Sequence, residues 1–273
     1  MIEGDARADM VGGEKRGGRE QDRDSDPQRQ LGHWTYHSPV PQLVDPLVQL
    51  RIENRIGRLV LERPAFTGDM LSQFLSAVTR ASTDADLLVI SGSGNDFSLG
   101  RDRQEPKPAS PSAAFELITR VNEALAAFPG IAVCAVHGRA FGFALGIVMR
   151  CDIALAADDA RFALDEVRLG IPPMFIMAEI LEHLAPKRAL DIVLSSREFG
   201  AAEARDIGLV SRVVPSRGLQ TETENLLQEL RARDAEVLKA SKRYLASVRR
   251  VPLDGRGAYA LAEQTRYATQ GKH

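Results

Sequence analysis

GRAFGFALGIVMRCDIALAADDARFALDEVRLG, residues 138–170, decides how the rest of the chain is read. Two apolar runs of strand length bracket a glycine-studded turn and a short helical stretch, and an acidic pair, Asp165 and Glu166, stands just ahead of Gly170. The turn HGRAFG leads from the strand-like IAVCAV (131–136) into a helix predicted from Phe143 to Arg150. The first amides of such a helix lack partners inside it, and its dipole adds partial positive charge at the same place. This turn can hold an anion that develops during a reaction. It can equally be a plain strand-to-helix connection.

Upstream, a second turn of the same kind follows a second strand. SGSGNDFSLGRDR (91–103) comes after DLLVI (86–90), and Gly92, Gly94 and Gly100 free backbone donors near the strand's end. Two amide-bearing turns after neighbouring strands can aim at one oxygen. The remaining pattern supports a layered α/β architecture. LVQLRIE (47–53) and RLVLER (58–63) flank the turn-forming Asn54 to Gly57 and predict a hairpin. DMLSQFLSAVTRAS (69–82) sets Met70, Leu71, Phe74, Leu75 and Val78 at helical spacing. Arg101 to Ser112, with three prolines, predicts a loop, and Ala113 to Ala127 a second amphipathic helix that Pro129 and Gly130 stop. Past Pro215, Leu219 to Leu230 and Arg231 to Val248 predict two helices. Strands alternating with helices imply parallel pairing.

Composition sets the outer bounds. The 273 residues can bury a sizeable core, with 44% hydrophobic and 26% charged residues, and a net charge of -2 gives no electrostatic basis for nucleic-acid or membrane-surface binding. Cys134 and Cys151 sit inside apolar runs, a pattern for packing rather than for a disulfide framework or a metal site. No apolar run reaches the roughly 18 residues of a membrane span, and no apolar block near the N-terminus marks a signal peptide, so the expected compartment is the cytoplasm. Residues 1–44 mix charges of both signs with glycine and offer little to bury; they predict a disordered tail, with an aromatic cluster at His33, Trp34, Tyr36 and His37.

With both turns in view, the chain resembles the crotonase superfamily of enoyl-CoA hydratases and isomerases over roughly Leu47 to Ser247. GNDFSLGRDR resembles the family's first oxyanion turn, which implies that the N–H of Arg101, after Gly100, is one donor. GRAFGFALGIVMRCDIALA resembles the second turn and its helix, which implies Phe143 as the second donor, with Gly142 in support. ARFALDEVRLGIPP resembles the stretch that carries a catalytic glutamate, here Glu166, with Asp165 beside it. REFGAAEARDIGLVSRVVP is similar to the family's closing segment. The resemblance implies a spiral of repeated ββα units over 45–215 and a C-terminal helical region over 216–273 that serves assembly, as a homotrimer or hexamer, and CoA contact. It implies an acyl-CoA thioester as partner, CoA being part of the substrate, with no separate cofactor and no metal.

The departures from the family pattern bear on the reaction. Family hydratases carry a second glutamate where this chain has Gly146, usually glycine where it has Phe143, and a glycine-rich run where it reads MFIM (174–177). Adding water needs activation of water and protonation at the α-carbon, tasks that paired carboxylates share. Shifting a double bond from position 3 to position 2 needs one group that takes a proton from C2 and returns it at C4. LDEVRLGIPPMF is also similar to the corresponding stretch of Δ3,Δ2-enoyl-CoA isomerases. Isomerisation is therefore the expected activity, the alternatives being hydration, another crotonase reaction such as hydrolysis or decarboxylation, or acyl-CoA binding without turnover. If the turn needs positive φ at 143, the Cβ of Phe143 is strained. Met174 and Phe175 are expected to line an acyl pocket or the core. The side chains of Arg101 and Arg103 are candidates for CoA phosphates or plain solvated loop charges, and Lys239 or Lys242 for the 3′-phosphate. His137 reads as an acid/base or, more simply, as a turn residue.

Overall fold

A computed structural model describes residues 46–106 and 110–270. The N-terminal tail predicted over 1–44 and its aromatic cluster lie outside the described residues. The chain opens with β1 (Val48–Glu53) and β2 (Ile56–Leu61), an antiparallel hairpin whose turn residues Asn54 and Arg55 take φ of 50° and 62°, as tight hairpin turns require. Helix α1 (Gly68–Asp84) follows, and it buries Met70, Leu71, Phe74, Val78 and Ala81, the stripe its spacing predicts. Then come β3 (Leu87–Gly92), α2 (Pro111–Ala126), β4 (Ile131–Val136), β5 (Arg139–Phe141), α3 (Phe143–Arg150), β6 (Ile153–Ala157), β7 (Arg161–Ala163), α4 (Met174–Ile180), α5 (Pro186–Ser195), β8 (Phe199–Gly200), α6 (Ala201–Asp206) and β9 (Arg212–Val214).

The main sheet has the order β1-β2-β3-β4-β6-β9, and every pairing after the first hairpin is parallel. All six residues of β4 are buried, as expected of a central parallel strand covered on both faces. A second, small sheet has the order β5-β7-β8. Two successive turns of the chain each add one strand to the large sheet, one short strand to the small sheet, and a helix: β4, β5, α3, then β6, β7, α4. This is the repeated ββα spiral that the resemblance implies. The small sheet has no counterpart in the sequence reading, because strands of two or three residues are too short to show alternation.

Three helices close the chain: α7 (Leu219–Arg231), α8 (Ala235–Val248) and α9 (Arg256–Gln270). Leu219, Leu226 and Leu227 of α7 enter the same core as the sheet, whereas α8 has no buried residue. The helix predicted to start at Arg231 begins instead at Ala235, because Asp234 caps it by accepting from the N–H groups of Glu236 and Val237. Among the described residues no helix is long and apolar enough to cross a membrane.

Candidate functional site

The two glycine-bearing turns lie side by side, joined by a ladder of backbone hydrogen bonds. Phe97 N–H donates to His137 O (2.8 Å), Ser98 N–H to Arg139 O (3.0 Å) and Phe141 N–H to Ser98 O (3.0 Å). Asp96 adds a side-chain clasp: it accepts from the Arg139 backbone and from its Nε, each at 2.9 Å, and from Nη2 at 2.7 Å. That guanidinium holds the Asp96 carboxyl below the usual carboxylate range. Buried Ser98 ties the first turn down, donating to Pro64 O and accepting from Gly100 N–H. Neither Asp96 nor Ser98 was singled out from sequence; the signal for Ser98 was a hydroxyl inside an apolar segment.

Gly100 brings the turns into contact. It takes φ of 83°, and a Cβ there would lie 2.7 Å from Phe141 O and 3.2 Å from Phe143 N. The backbone at 100 and the start of α3 thus touch, which no other residue type allows. Among the described residues, the N–H groups of Arg101 and Phe143 have no hydrogen-bond partner. Two unpaired donors at one junction can bind a developing oxyanion.

Phe143 is not strained. The residue with positive φ is Gly142, at φ 51° and ψ −123°, and among non-glycine residues positive φ is found only at Asn54, Arg55 and Ser196 within the described chain. The Phe143 ring is buried in the core, edge-on to Phe66 with centroids 5.2 Å apart.

Glu166 reaches the same junction from the other side. Gly142 N–H donates to Ala163 O at 2.9 Å, which holds the end of β7 against the start of α3, and Glu166 follows three residues later. Its backbone carbonyl accepts from Leu169 and Ile171, fixing the residue at a short helical turn. Its carboxylate covers Gly142 so closely that a Cβ at 142 would lie 2.6 Å from Oε1. The other oxygen, Oε2, is buried and has no hydrogen-bond partner. Burial raises the Glu166 pKa above that of an ordinary glutamate; the Asp165 charge adds to the rise and Arg103 opposes it. Asp165 itself is paired with Arg103.

Gly146, one helical turn beyond Gly142, lies beneath Arg150 and Ile176, and a Cβ there would be 2.9 Å from Arg150 Nη1. The Arg150 side chain folds back along α3, is 3% exposed, donates from Nη1 to Gly146 O and pairs with Glu179 of α4 at 2.9 Å. Of the MFIM run, Ile176 is buried against this group, Phe175 packs on Phe115, and Met174 is 66% exposed.

The remaining candidates lie elsewhere or are engaged. Lys242 Nζ donates to Phe128 O, Gly130 O and Asp152 Oδ2, while Lys239 pairs with Asp86 and Glu236. Asp86 and Gly130 precede β3 and β4, so this chain sets both lysines at the starts of the parallel strands, whereas the two turns and Glu166 gather at their ends. The sequence could not reveal which edge of the sheet α8 crosses. His137 bonds Gly94 O through Nε2, a turn contact. Contact with Cys134 and burial hold the Cys151 thiol protonated.

Short strand, second strand and helix repeated around paired amide-bearing turns constitute the crotonase fold. The model of the family described as enoyl-CoA hydratase/isomerase matches residues 51–265, and the chain belongs to that family of enzymes. A Mycobacterium tuberculosis protein named probable enoyl-CoA hydratase is 33% identical over 198 residues, covering 68% of this chain and 77% of that protein. The solved enoyl-CoA hydratase of Mycobacterium smegmatis superposes with a TM-score of 0.75 at 25% identity, covering 81% of this chain and 90% of the other. A Thermobifida fusca relative solved in complex with CoA gives a TM-score of 0.75 at 26% identity, covering 82% and 94%.

Proposed function

We propose that this chain binds acyl-CoA thioesters and moves a carbon-carbon double bond from position 3 to position 2, with Glu166 as the single base. The observation that carries this reading is the pair of positions 166 and 146. A buried carboxylate oxygen without a partner stands beside two unpaired amides, while the place of a second acid is glycine under a buried guanidinium. CoA enters as part of the substrate, in line with the CoA complex of the Thermobifida fusca relative.

In this mechanism the thioester oxygen accepts from the N–H groups of Arg101 and Phe143. Glu166 takes a proton from C2, the electron pair delocalises through C1 onto that oxygen, and the dienolate is held by the two amides. Protonated Glu166 then delivers the same proton to C4, the pair from the former C3–C4 double bond forms the new C–H bond, and the double bond settles between C2 and C3. Nothing is consumed. Each oxyanion donor of this kind typically contributes about 10²–10³-fold in rate, and a raised carboxyl pKa suits a group that must accept and return a proton near neutral pH. Arg103, by pairing with Asp165, orients the loop beside the base.

A second reading, hydration, is favoured by the names of the relatives, which are hydratases. Product analysis separates the two. Incubation of 3-enoyl-CoA with the wild-type protein yields 2-enoyl-CoA without water uptake, and Glu166→Gln lowers that rate by about 10²–10⁴-fold while acyl-CoA binding persists. Accumulation of 3-hydroxyacyl-CoA from 2-enoyl-CoA establishes the second reading, and an undiminished rate in the glutamine variant removes Glu166 from the mechanism. For assembly we propose a homotrimer or hexamer, supported by the exposed leucines of the C-terminal helices.

A further inference from the structure

Four buried side-chain polar atoms lack a hydrogen-bond partner among the described residues: Arg58 Nη1, Arg101 Nη1, Arg150 Nε and Glu166 Oε2. Glu166 Oε2 belongs to the base. Arg101 Nη1 has no part in the reaction above, yet its residue supplies one of the two oxyanion donors. While the Arg101 backbone stands at the junction with α3, its side chain lines a cavity of about 180 Å³ together with Gly68, Leu71, Glu105, Ala114 and Leu117.

This cavity has an apolar wall with one cationic donor in it. Arg101 Nη2 is engaged by Glu105 Oε2 at 2.7 Å, and Glu105 Oε1 in turn accepts from Gly68 N–H at 2.6 Å at the start of α1. The guanidinium is therefore held in place and its charge is already matched. What is left is a buried N–H with nothing to donate to, an arrangement that is costly until an acceptor arrives.

We propose that the cavity receives the distal end of the acyl chain and that Arg101 Nη1 donates to an uncharged oxygen there, a keto or amide carbonyl. The inference rests on the acyl-CoA reading above and narrows its substrate class. The length follows from the arginine itself, whose backbone nitrogen and Nη1 are separated by about seven bonds; with the thioester oxygen on the former, the acceptor belongs at about the fifth or sixth acyl carbon. The cavity of about 180 Å³ has room for the distal atoms of such a chain. Charge selects a neutral acceptor over a carboxylate, because Glu105 already balances the guanidinium and a second anion would meet its repulsion.

Calorimetric binding of hexanoyl-CoA, 5-oxohexanoyl-CoA and adipoyl-CoA tests this without relying on turnover. The wild-type protein is expected to bind 5-oxohexanoyl-CoA about tenfold more tightly than hexanoyl-CoA, with adipoyl-CoA the weaker of the two oxygenated ligands. Arg101→Met removes the ratio between oxo and plain acyl groups, whatever its effect on affinity overall, and Glu105→Gln reverses the order of the oxo and carboxyl ligands. Equal affinity for the first two ligands, or an oxo preference that survives Arg101→Met, overturns the proposal. It leaves the double-bond reading intact if 3-hexenoyl-CoA is still isomerised. Failure to bind any acyl-CoA overturns both.

Discussion

Glu166 titrates against its surroundings, and the consequences can be read at a single residue. Burial favours its neutral form, the Asp165 charge works in the same direction, and the Arg103 guanidinium works against both. A base acts only when deprotonated, so kcat/KM falls as pH drops through this raised pKa. Arg103→Gln removes the one charge that opposes the rise and frees Asp165, so the acid limb of the pH–rate profile moves to higher pH; a shift to lower pH would contradict the assignment. Stability carries the same signature. The native state binds this proton more tightly than the unfolded chain does, so stability falls as pH rises from the unfolded to the native pKa. Glu166→Gln escapes that loss, so its Tm exceeds that of the wild type at pH 7, and the gap closes below the ordinary glutamate range. Equal Tm values at pH 7 would mean that the buried carboxylate carries no desolvation cost.

At the scale of the element, α3 is organised by a four-residue spacing along one face. Gly142 lies under Glu166, Gly146 under Arg150, and Arg150 ends the helix and folds back over the turn before it. A carboxylate added by Gly146→Glu lands against a guanidinium that is 3% exposed, and the pair it forms leaves no oxygen free to orient water. The variant is therefore expected to form no 3-hydroxyacyl-CoA and to lose about 1–3 kcal/mol of stability as Arg150 is displaced from Gly146 O and Glu179; appearance of the hydroxy product would show that the acid, not its neighbour, decides. This element also marks how far the sequence could be read. The strand IAVCAV and the helix from Phe143 to Arg150 were legible because apolar runs and the glycines that bound them are local properties. The fold-back of Arg150, the register of the three-residue strands β5 and β7, and the short helix α4 in MFIM depend on which segments meet, and a basic residue at a helix end looks the same in sequence whether it points to solvent or inward. Through motif resemblance the sequence pointed to Glu166, Gly142 and the N–H groups of Arg101 and Phe143, which the structure sets at one junction. That Gly142, not Phe143, takes the positive φ is a matter of backbone geometry.

Across the whole molecule, the two edges of the parallel sheet do different work. The ends of β3 and β4 lead into the turns around Glu166, while at their starts Lys242 donates to Phe128 O, Gly130 O and Asp152 and so clamps α8. Three acceptors use all three of its protons, and Lys242→Met is expected to destabilise the fold by about 1–3 kcal/mol, seen as a lower urea midpoint. With Lys239 paired to Asp86, that clamp holds α8 by polar side chains more than by buried area. The helix has no buried residue, and Leu245, Leu253 and Leu261 are 66%, 82% and 71% exposed along α8, α9 and the turn between them. Tyr244 stacks on Tyr259 at 5.7 Å and joins the two helices to each other, which leaves their remaining apolar surface without cover. Patches of this kind mark association sites in soluble proteins, and a second copy supplies matching surface. Light scattering of the wild-type protein is therefore expected to give a mass three or six times 29.8 kDa, and Leu253→Asp combined with Leu261→Asp to shift it toward the single chain by burying charge in the contact. A wild-type mass of one chain would leave these leucines facing water and end the proposal of assembly, without touching the proposal for Glu166 at the opposite ends of the strands.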